Sequence, residues 1–341
     1  MKQKTNSSAV EKRLQVIKLA KQIGNISEAC RIHGMNRSSF YGWKRRYELH
    51  GIEGLYNLPS TPKHNPRTTP QSVVDEIVHI SLSNPSWGCI RIAEKLKEQN
   101  IQISSPTVQK ILIKSDIATI KDRWHKLEFL HTTENYKLNQ KQPTKMEKLN
   151  PAFKERTYPI NEVGRLLSAD IYYMGTHENM GTIYLCAAVD AYSSFAFAAL
   201  APTDNPEHLA ALLHTQVFPF LSMQRIKPKQ VLTSSSPKYS AYSNPLKAYL
   251  RLNDVQHITS KDKSPNSNGF VEKFKMISAE EFIKKNLKNG KYSDMENFSD
   301  DFNTWVTYYN YERLNKGFPN FGQTPYDRFI QNSNKLDIKT S

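Results

Sequence analysis

The chain has 341 residues, and 47 lysines and arginines against 32 aspartates and glutamates give it a net charge of +15. This length allows two or three domains that each bury a core. No run of 18 apolar residues and no signal-peptide core occurs, so we expect a cytoplasmic protein with no membrane partner. The three cysteines, Cys30, Cys89 and Cys186, are far apart, which excludes a disulfide scaffold, and no histidine cluster has zinc-finger spacing.

The positive charge is concentrated in the front half of the chain. Residues 1–130 contain 21 basic and 11 acidic side chains. A basic half of this kind is typical of a nucleic-acid binder, because neutralising phosphates releases counterions. Charge alone equally allows a merely basic soluble protein. We expect double-stranded DNA as the partner and no small-molecule substrate.

The first 50 residues have the pattern of a helix-turn-helix. Apolar side chains recur at helical spacing over 10–21, and a second short helix fits 26–33 before Gly34 breaks it. Asn36 then caps a basic helix over 37–47, which would enter the major groove. The side chains of this domain expected nearest to DNA are Arg37, Ser38, Ser39, Tyr41, Lys44, Arg45 and Arg46.

Residues 51–70 form a proline-rich segment in which four prolines forbid a regular helix. One interpretation is a simple spacer. The other is an extended arm along a DNA backbone or minor groove, contacted through Lys63 and Arg67.

The helix-turn-helix pattern then repeats in residues 71–118. Apolar residues mark helices over 73–82 and 90–96, and Ser104 or Ser105 caps a third over 106–112. Two such units in series would span adjacent segments of major groove. The DNA-contacting candidates of this unit are Ser104, Ser105, Thr107, Gln109, Lys110 and Lys114.

The sequence changes character after residue 118. Residues 119–160 are lysine-rich and poor in periodicity, which predicts a linker with little fixed structure. From Leu166 onwards the chain is rich in strand-forming residues, and strands followed by alternating helix and strand predict a mixed sheet flanked by helices. The predicted elements are strands at 166–173, 182–189, 194–200 and 230–233, and helices at 206–221 and 244–252.

A set of short motifs occurs between Arg13 and about Phe329. They are Ala29-Cys30-x-x-His33-Gly34, Phe40-Tyr41-x-Trp43, Trp87-Gly88, Arg91-Ile92, Ile103-Ser104, Thr107-Val108, Tyr184-Leu185, Ala188-Val189-Asp190 with Ser193, Asn268-Gly269-Phe270-Val271-Glu272, Trp305, Tyr309-Asn310-x-x-Arg313 and Thr324-Pro325. Through these motifs the chain resembles bacterial insertion-sequence transposases of the DDE type, which have a retroviral-integrase-like core on a ribonuclease H-like fold.

The resemblance implies a catalytic site with one member missing. In the family three carboxylates hold two Mg²⁺ ions, and Asp170 and Glu272 match the first and third of them. The second position is Ser234, whose neutral hydroxyl is a poor Mg²⁺ ligand. Losing that charge is expected to reduce the rate by several powers of ten, so we expect strand transfer to be lost or very weak. Mg²⁺ or Mn²⁺ is the expected cofactor of an active protein, and an inactive one needs none.

Two alternatives remain open at this point. A substitute acid would keep the protein an active transposase, and the acids in the right stretch are Asp204, Asp254 and Asp262. A non-catalytic assembly partner of an active transposase is the other alternative. The resemblance also implies a homo-oligomer, since active relatives work as multimers on paired DNA ends.

These predictions add up to a multidomain α + α/β chain. It has two N-terminal helix-turn-helix domains followed by a ribonuclease H-like mixed β-sheet core flanked by helices. The expected boundaries are 1–50 and 71–118 for the helix-turn-helix domains, 51–70 and 119–160 for the linkers, 161–290 for the catalytic core, and 291–341 for a C-terminal helical tail.

Overall fold

The computed structural model describes residues 2–57, 68–158, 160–240, 244–260, 268–288 and 292–331. The chain forms two compact units, one ending at Thr69 and one beginning at Pro70. Lys63 and Arg67 lie outside the described residues. Among the helices that are described, none combines the length and the apolar character needed to cross a bilayer.

The first unit is a three-helix domain, as the sequence predicts. Its helices are α1 (Lys2–Ile23), α2 (Ile26–Ile32) and α3 (Arg37–His50), followed by a 3-10 turn at Gly51–Leu55. The side chains of Asn25 and Asn36 accept backbone N–H groups at the starts of α2 and α3, which fixes where each helix begins. The small core of this unit consists of Val16, Ala20, Ala29, Cys30 and Phe40.

The second unit begins with three more helices. They are α4 (Gln71–Ser83), α5 (Cys89–Glu98) and α6 (Ser105–Lys114), at the places predicted for the second helix-turn-helix. Ser104 precedes α6 and Pro106 lies in its first turn, where the missing N–H of proline costs nothing.

Residues 119–160 are folded, so the prediction of a linker with little fixed structure is wrong. They contain α7 (Ile120–Glu134), which starts with a reciprocal capping box, and α8 (Gln142–Leu149), followed by a 3-10 turn at Pro151–Thr157. The periodicity of α7 is hidden because two buried residues are charged. Arg123 donates to the carbonyls of Ile117, Pro85 and Trp87, and Glu128 accepts from Asn150 and the N–H of Phe318.

The second helix-turn-helix is not a separate compact domain. Its buried residues share one hydrophobic cluster with α7, the 3-10 turn after α8, and the sheet. Members of that cluster are Ile77, Leu96, Leu112, Trp124, Leu127, Phe153, Leu232, Phe270 and Phe318. The predicted boundary at residue 118 therefore divides a continuous core.

A five-stranded mixed sheet forms the centre of the second unit. Its strands are β1 (Leu166–His177), β2 (Gly181–Asp190), β3 (Ala196–Ala201), β4 (Gln230–Thr233) and β5 (Gln256–Thr259). Their order is β3-β2-β1-β4-β5, with β1, β2 and β3 antiparallel and with β4 parallel to both β1 and β5. This is the arrangement expected of a ribonuclease H-like fold. Strand β5 is absent from the sequence prediction.

Helices cover both faces of the sheet. The helices after β3 are α9 (Pro206–Leu212), α10 (Phe218–Met223), α11 (Pro237–Ser240), α12 (Pro245–Leu252), α13 (Gly269–Ser278), α14 (Lys284–Lys288) and α15 (Met295–Tyr311). Two π-helical turns, at Leu213–Val217 and Ala279–Ile283, join α9 to α10 and α13 to α14. One apolar cluster includes side chains of α9, α10 and α12, and another includes those of α13 and α15. Residues 325–331 are also helical, within the predicted C-terminal tail.

Candidate active site and DNA-binding surfaces

Asp170 lies in the middle of β1 with its carboxylate buried against the loop that follows β4. Its Oδ1 accepts the N–H of Ile171 at 2.8 Å and the hydroxyl of Tyr239 at 2.8 Å. Its Oδ2 accepts the N–H of Ser234 at 3.3 Å. The structure thus brings Asp170 into contact with Ser234, the position of the missing carboxylate, as the resemblance implies. The contact is made by the backbone of Ser234.

Helix α11 supplies a cation and a hydroxyl to the same carboxylate. Lys238 Nζ is 3.7 Å from Asp170 Oδ1 and donates to the carbonyl of Ile171 at 2.9 Å. The Tyr239 side chain is fully buried. Neither residue is among the sites predicted from the sequence, although Pro237 directly after the serine run is a signal for a helix start at this point.

Glu272 lies in the first turn of α13, and hydrogen bonds of Asn268 and Ser168 connect the start of this helix to the sheet. Asn268 donates to the carbonyl of Ala169 at 3.1 Å and to that of Leu232 at 3.0 Å, so it bridges β1 and β4. Its Oδ1 also accepts the hydroxyl of Ser168, and that hydroxyl oxygen accepts the N–H of Val271 at 3.0 Å.

Only glycine fits at the start of α13. A Cβ on Gly269 would lie 2.1 Å from the carbonyl oxygen of Pro151, so the helix start can pack this closely against the 3-10 turn at Pro151–Thr157 only because residue 269 has no side chain. The Asn-Gly pair before Glu272 therefore has a local physical cause: the asparagine binds two strands and the glycine permits close approach.

The two surviving carboxylates influence the same buried surroundings. Burial, followed by the charges of Asp170 and Glu272, raises the pKa of Tyr172 well above its usual value. Burial and then Asp170 raise the pKa of the Cys186 thiol to about 12. Burial also raises the pKa of Glu272, against the opposing charges of Lys154 and Lys275. Asp170 and Glu272 therefore both lie close enough to Tyr172 for their charges to act on its hydroxyl.

The donor set around Asp170 does not fit a pair of divalent metal ions. Metal ligands of this kind need free carboxylate lone pairs, and Oδ1 already accepts two hydrogen bonds beside the Lys238 ammonium. Glu272 Oε2 is buried and has no hydrogen-bond partner within the described part of the chain. The carboxylate of Glu272 alone cannot supply the oxygen ligands that two ions require. Among the described residues, no group of three or more His, Cys, Asp or Glu side chains is placed to hold a metal ion.

Neither described candidate for a substitute acid is a member of the site. Asp204 is exposed in the segment after β3. Asp254 is exposed and lies 3.5 Å from Lys227. Asp262 lies outside the described residues.

Asp190, the last residue of β2, stabilises the turn that follows this strand. Its carboxylate accepts the N–H of Gly164 at 2.8 Å, and both the N–H and the hydroxyl of Ser193, at 2.8 and 2.6 Å. It therefore shapes the turn into β3, as its predicted position between strands indicates.

The outward face of α3 carries most of the DNA-contacting candidates of the first unit. Arg37, Ser38, Ser39, Tyr41 and Arg45 are exposed, and Lys44 and Arg46 are half-buried. Several of these side chains already have polar partners: the Ser38 hydroxyl donates to Asn36 at 2.8 Å, Arg46 donates to the carbonyl of Tyr56 at 3.4 Å, and Lys44 Nζ lies 3.8 Å from Glu48 Oε1. Phe40 points into the core from the opposite face.

The corresponding candidates of the second unit lie along α6. Ser104, Lys110 and Lys114 are exposed, whereas Ser105, Thr107 and Gln109 are half-buried. The hydroxyls of Ser104 and Thr107 are 2.9 Å apart and bond to each other. Lys110 and Lys114 are four residues apart on the helix, so both project from one face.

Comparison with known families identifies the front of the chain. Residues 12–63 match the family described as "Helix-turn-helix domain", and residues 39–112 match the family described as "Homeodomain-like domain". The two matches cover α1 to α6, so the chain carries helix-turn-helix sequence of the DNA-binding type.

The chain is also similar to individual proteins and solved structures. Protein YlbG of Escherichia coli (strain K12) and uncharacterized protein YlbG of Shigella dysenteriae serotype 1 (strain Sd197) are each 22% identical over 120 residues, or 35% of this chain and 98% of theirs. The HTLV-2 integrase catalytic core domain in complex with magnesium is 13% identical, with a TM-score of 0.37 over 50% of this chain and 99% of that one. The catalytic core domain of BIV integrase is 16% identical, with a TM-score of 0.36 over 52% and 99%. The strand order β3-β2-β1-β4-β5 is that of a ribonuclease H-like fold.

Proposed function

We propose that this protein is a transposase-like DNA-binding protein of the integrase superfamily, whose core neither cuts nor joins DNA. The helix-turn-helix matches and the basic faces of α3 and α6 support the DNA-binding part. The motif resemblance and the strand order support the superfamily. In this proposal α3 and α6 each enter a major groove and the chain acts as a homo-oligomer, as transposases do on paired DNA ends.

One observation carries the proposal of a silent core. The carboxylate that would be the first metal ligand accepts hydrogen bonds from Ile171, Ser234 and Tyr239, and Ser234 stands where a second carboxylate is needed. Losing one ligand charge from a two-metal site removes several kcal/mol of transition-state stabilisation, and each loss of about 1.4 kcal/mol is tenfold in rate.

The test is a paired binding and cleavage assay on DNA that carries the ends flanking the protein's own locus. We expect salt-sensitive binding with and without Mg²⁺ or Mn²⁺, and no nicking or strand transfer. Binding is measured by fluorescence anisotropy, cleavage on denaturing gels, and the oligomeric state by light scattering.

Asp170→Ala is the control that identifies the origin of any cleavage. Metal-dependent nicking by the unaltered protein that disappears in Asp170→Ala would refute the silent core and establish an active transposase with a substitute ligand. Equal binding of the end DNA and of a scrambled duplex would instead favour a non-catalytic assembly partner.

A further inference from the structure

We propose that the Lys238 ammonium is a built-in counter-ion of Asp170 that occupies the electrostatic place of a divalent cation in this core. This role rests on the proposed function, in which the core is inactive. The charge of Lys238 would weaken metal binding independently of the missing carboxylate at Ser234.

Contacts of both the ammonium group and the backbone fix the position of Lys238. Its Nζ donates to the carbonyl of Ile171 at 2.9 Å while lying 3.7 Å from Asp170 Oδ1. The side chains of Lys238 and Asp170 are only 19% and 4% exposed, so solvent screens this pair far less than a surface pair. The backbone of Lys238 is held as well, because Asn244 donates to its carbonyl at 2.7 Å.

Glu272, like Asp170, has positively charged side chains near its carboxylate. Lys154 and Lys275 are the two cations whose charges act on Glu272. Cations thus act on both carboxylates, Lys238 on Asp170 and the two lysines on Glu272, whereas a site for divalent cations needs an excess of carboxylate.

We therefore expect tight metal binding to need two substitutions. Ser234→Asp supplies the missing ligand, and Lys238→Met removes the competing charge. A unit charge about 5 Å from a divalent ion weakens its binding roughly tenfold even at the dielectric constant of water. We therefore expect the double variant to bind Mn²⁺ at least about tenfold more tightly than Ser234→Asp alone.

The experiment is a titration of MnCl₂ into the full-length chain, with free Mn²⁺ measured by electron paramagnetic resonance. The set contains the unaltered protein, Ser234→Asp, Lys238→Met and the double variant. In the Ser234→Asp background, Lys238→Arg keeps the charge and should leave the affinity unchanged, and Lys284→Met removes an exposed lysine elsewhere and should do the same.

Two results would overturn the counter-ion assignment. One is equal Mn²⁺ affinity for Ser234→Asp and for the double variant. The other is a gain with Lys238→Arg as large as the gain with Lys238→Met.

Folding of the neutral variants is checked by circular dichroism, and Lys238→Gln is included because it retains a donor for the carbonyl of Ile171. If both neutral variants unfold while Lys238→Arg folds, the buried carboxylate requires a cation, which supports the assignment. DNA nicking by the unaltered protein would instead refute the proposed function, and the Mn²⁺ titration would still measure the effect of Lys238.

Discussion

The Tyr239 hydroxyl is buried in the core of the second unit and donates to a carboxylate. Tyr239 is fully buried, and its hydroxyl is 2.8 Å from Asp170 Oδ1. Such a charge-assisted bond is stronger than a neutral one, and a buried carboxylate deprived of its donors is costly. Asp170 therefore contributes to folding by tying β1 to the segment Ser234–Tyr239.

Removing either partner should destabilise the protein. We expect Tyr239→Phe and Asp170→Asn each to lower the free energy of unfolding by about 1.5–3 kcal/mol, measured by urea denaturation. Tyr173→Phe is the matched control, because Tyr173 is 58% exposed on the same strand and should change little. Carboxylates kept only for catalysis repel one another, and neutralising one commonly stabilises the fold. A more stable Asp170→Asn protein would therefore contradict an anchoring role.

The sequence identifies the two carboxylates of this site but not the residues that contact them. Asp170 and Glu272 are identified through the family resemblance of the segments that contain them, a predicted strand beginning at Leu166 and the Asn268-Gly269 helix start. The roles of Lys238 and Tyr239 depend on how a four-residue helix folds back onto β1. That geometry is tertiary, and neither residue has a local pattern that indicates a carboxylate partner.

At the scale of elements, Asn310 joins the last long helix to the edge of the sheet. Its amide donates to the carbonyl of Ala196 at 2.8 Å and accepts the N–H of Ala196 at 2.8 Å. The side chain thus pairs with β3 as a neighbouring strand would, which satisfies an edge that would otherwise lack partners. This contact gives a physical reason for the asparagine in the Tyr309-Asn310-x-x-Arg313 motif.

Asn310→Ala should leave two buried backbone groups without partners. We expect a loss of about 2–4 kcal/mol in the free energy of unfolding, because each unsatisfied buried group costs about 1–3 kcal/mol. Asn303→Ala is the control on the exposed face of the same helix. Equal effects of the two substitutions in chemical denaturation would show that the contact with Ala196 contributes nothing.

Elements with a clear apolar period are predictable from the sequence, and those with buried charges are not. Helices α1 to α6 have apolar residues at helical spacing, strands β1 to β4 are runs of apolar and other strand-forming residues, and these elements are found at the expected places. Helix α7 is missed because Arg123 and Glu128 occupy buried positions. Strand β5 is missed because its four residues are exposed or half-buried, which leaves no apolar run to detect.

At the scale of the whole molecule, the two helix-turn-helix units differ in whether each has a hydrophobic core of its own. The first has its own cluster around Val16 and Phe40. The second packs Ile77 and Leu112 into a cluster that also contains Phe153. We infer that only the first can fold as an isolated fragment.

Fragments test this difference directly. We expect residues 1–69 to be helical and to melt cooperatively, residues 70–341 to do the same, and residues 70–118 to be largely unfolded, all measured by far-ultraviolet circular dichroism. The short fragment loses the apolar partners supplied by α7 and the sheet, and a core of that size is marginal. Cooperative melting of residues 70–118 would contradict the shared core.

The basic residues on the two recognition helices should act together on one duplex. Each phosphate contact contributes about 0.9 to the slope of log affinity against log salt concentration. We expect Arg45→Ala to reduce that slope by about 1, Lys110→Ala with Lys114→Ala by about 2, and all three by about 3, measured by anisotropy between low and physiological salt. Lys284→Ala, an exposed lysine in α14, should leave the slope unchanged. If the α6 substitutions also left it unchanged, DNA would be held by the first unit alone, and the second would serve only the core into which it is packed.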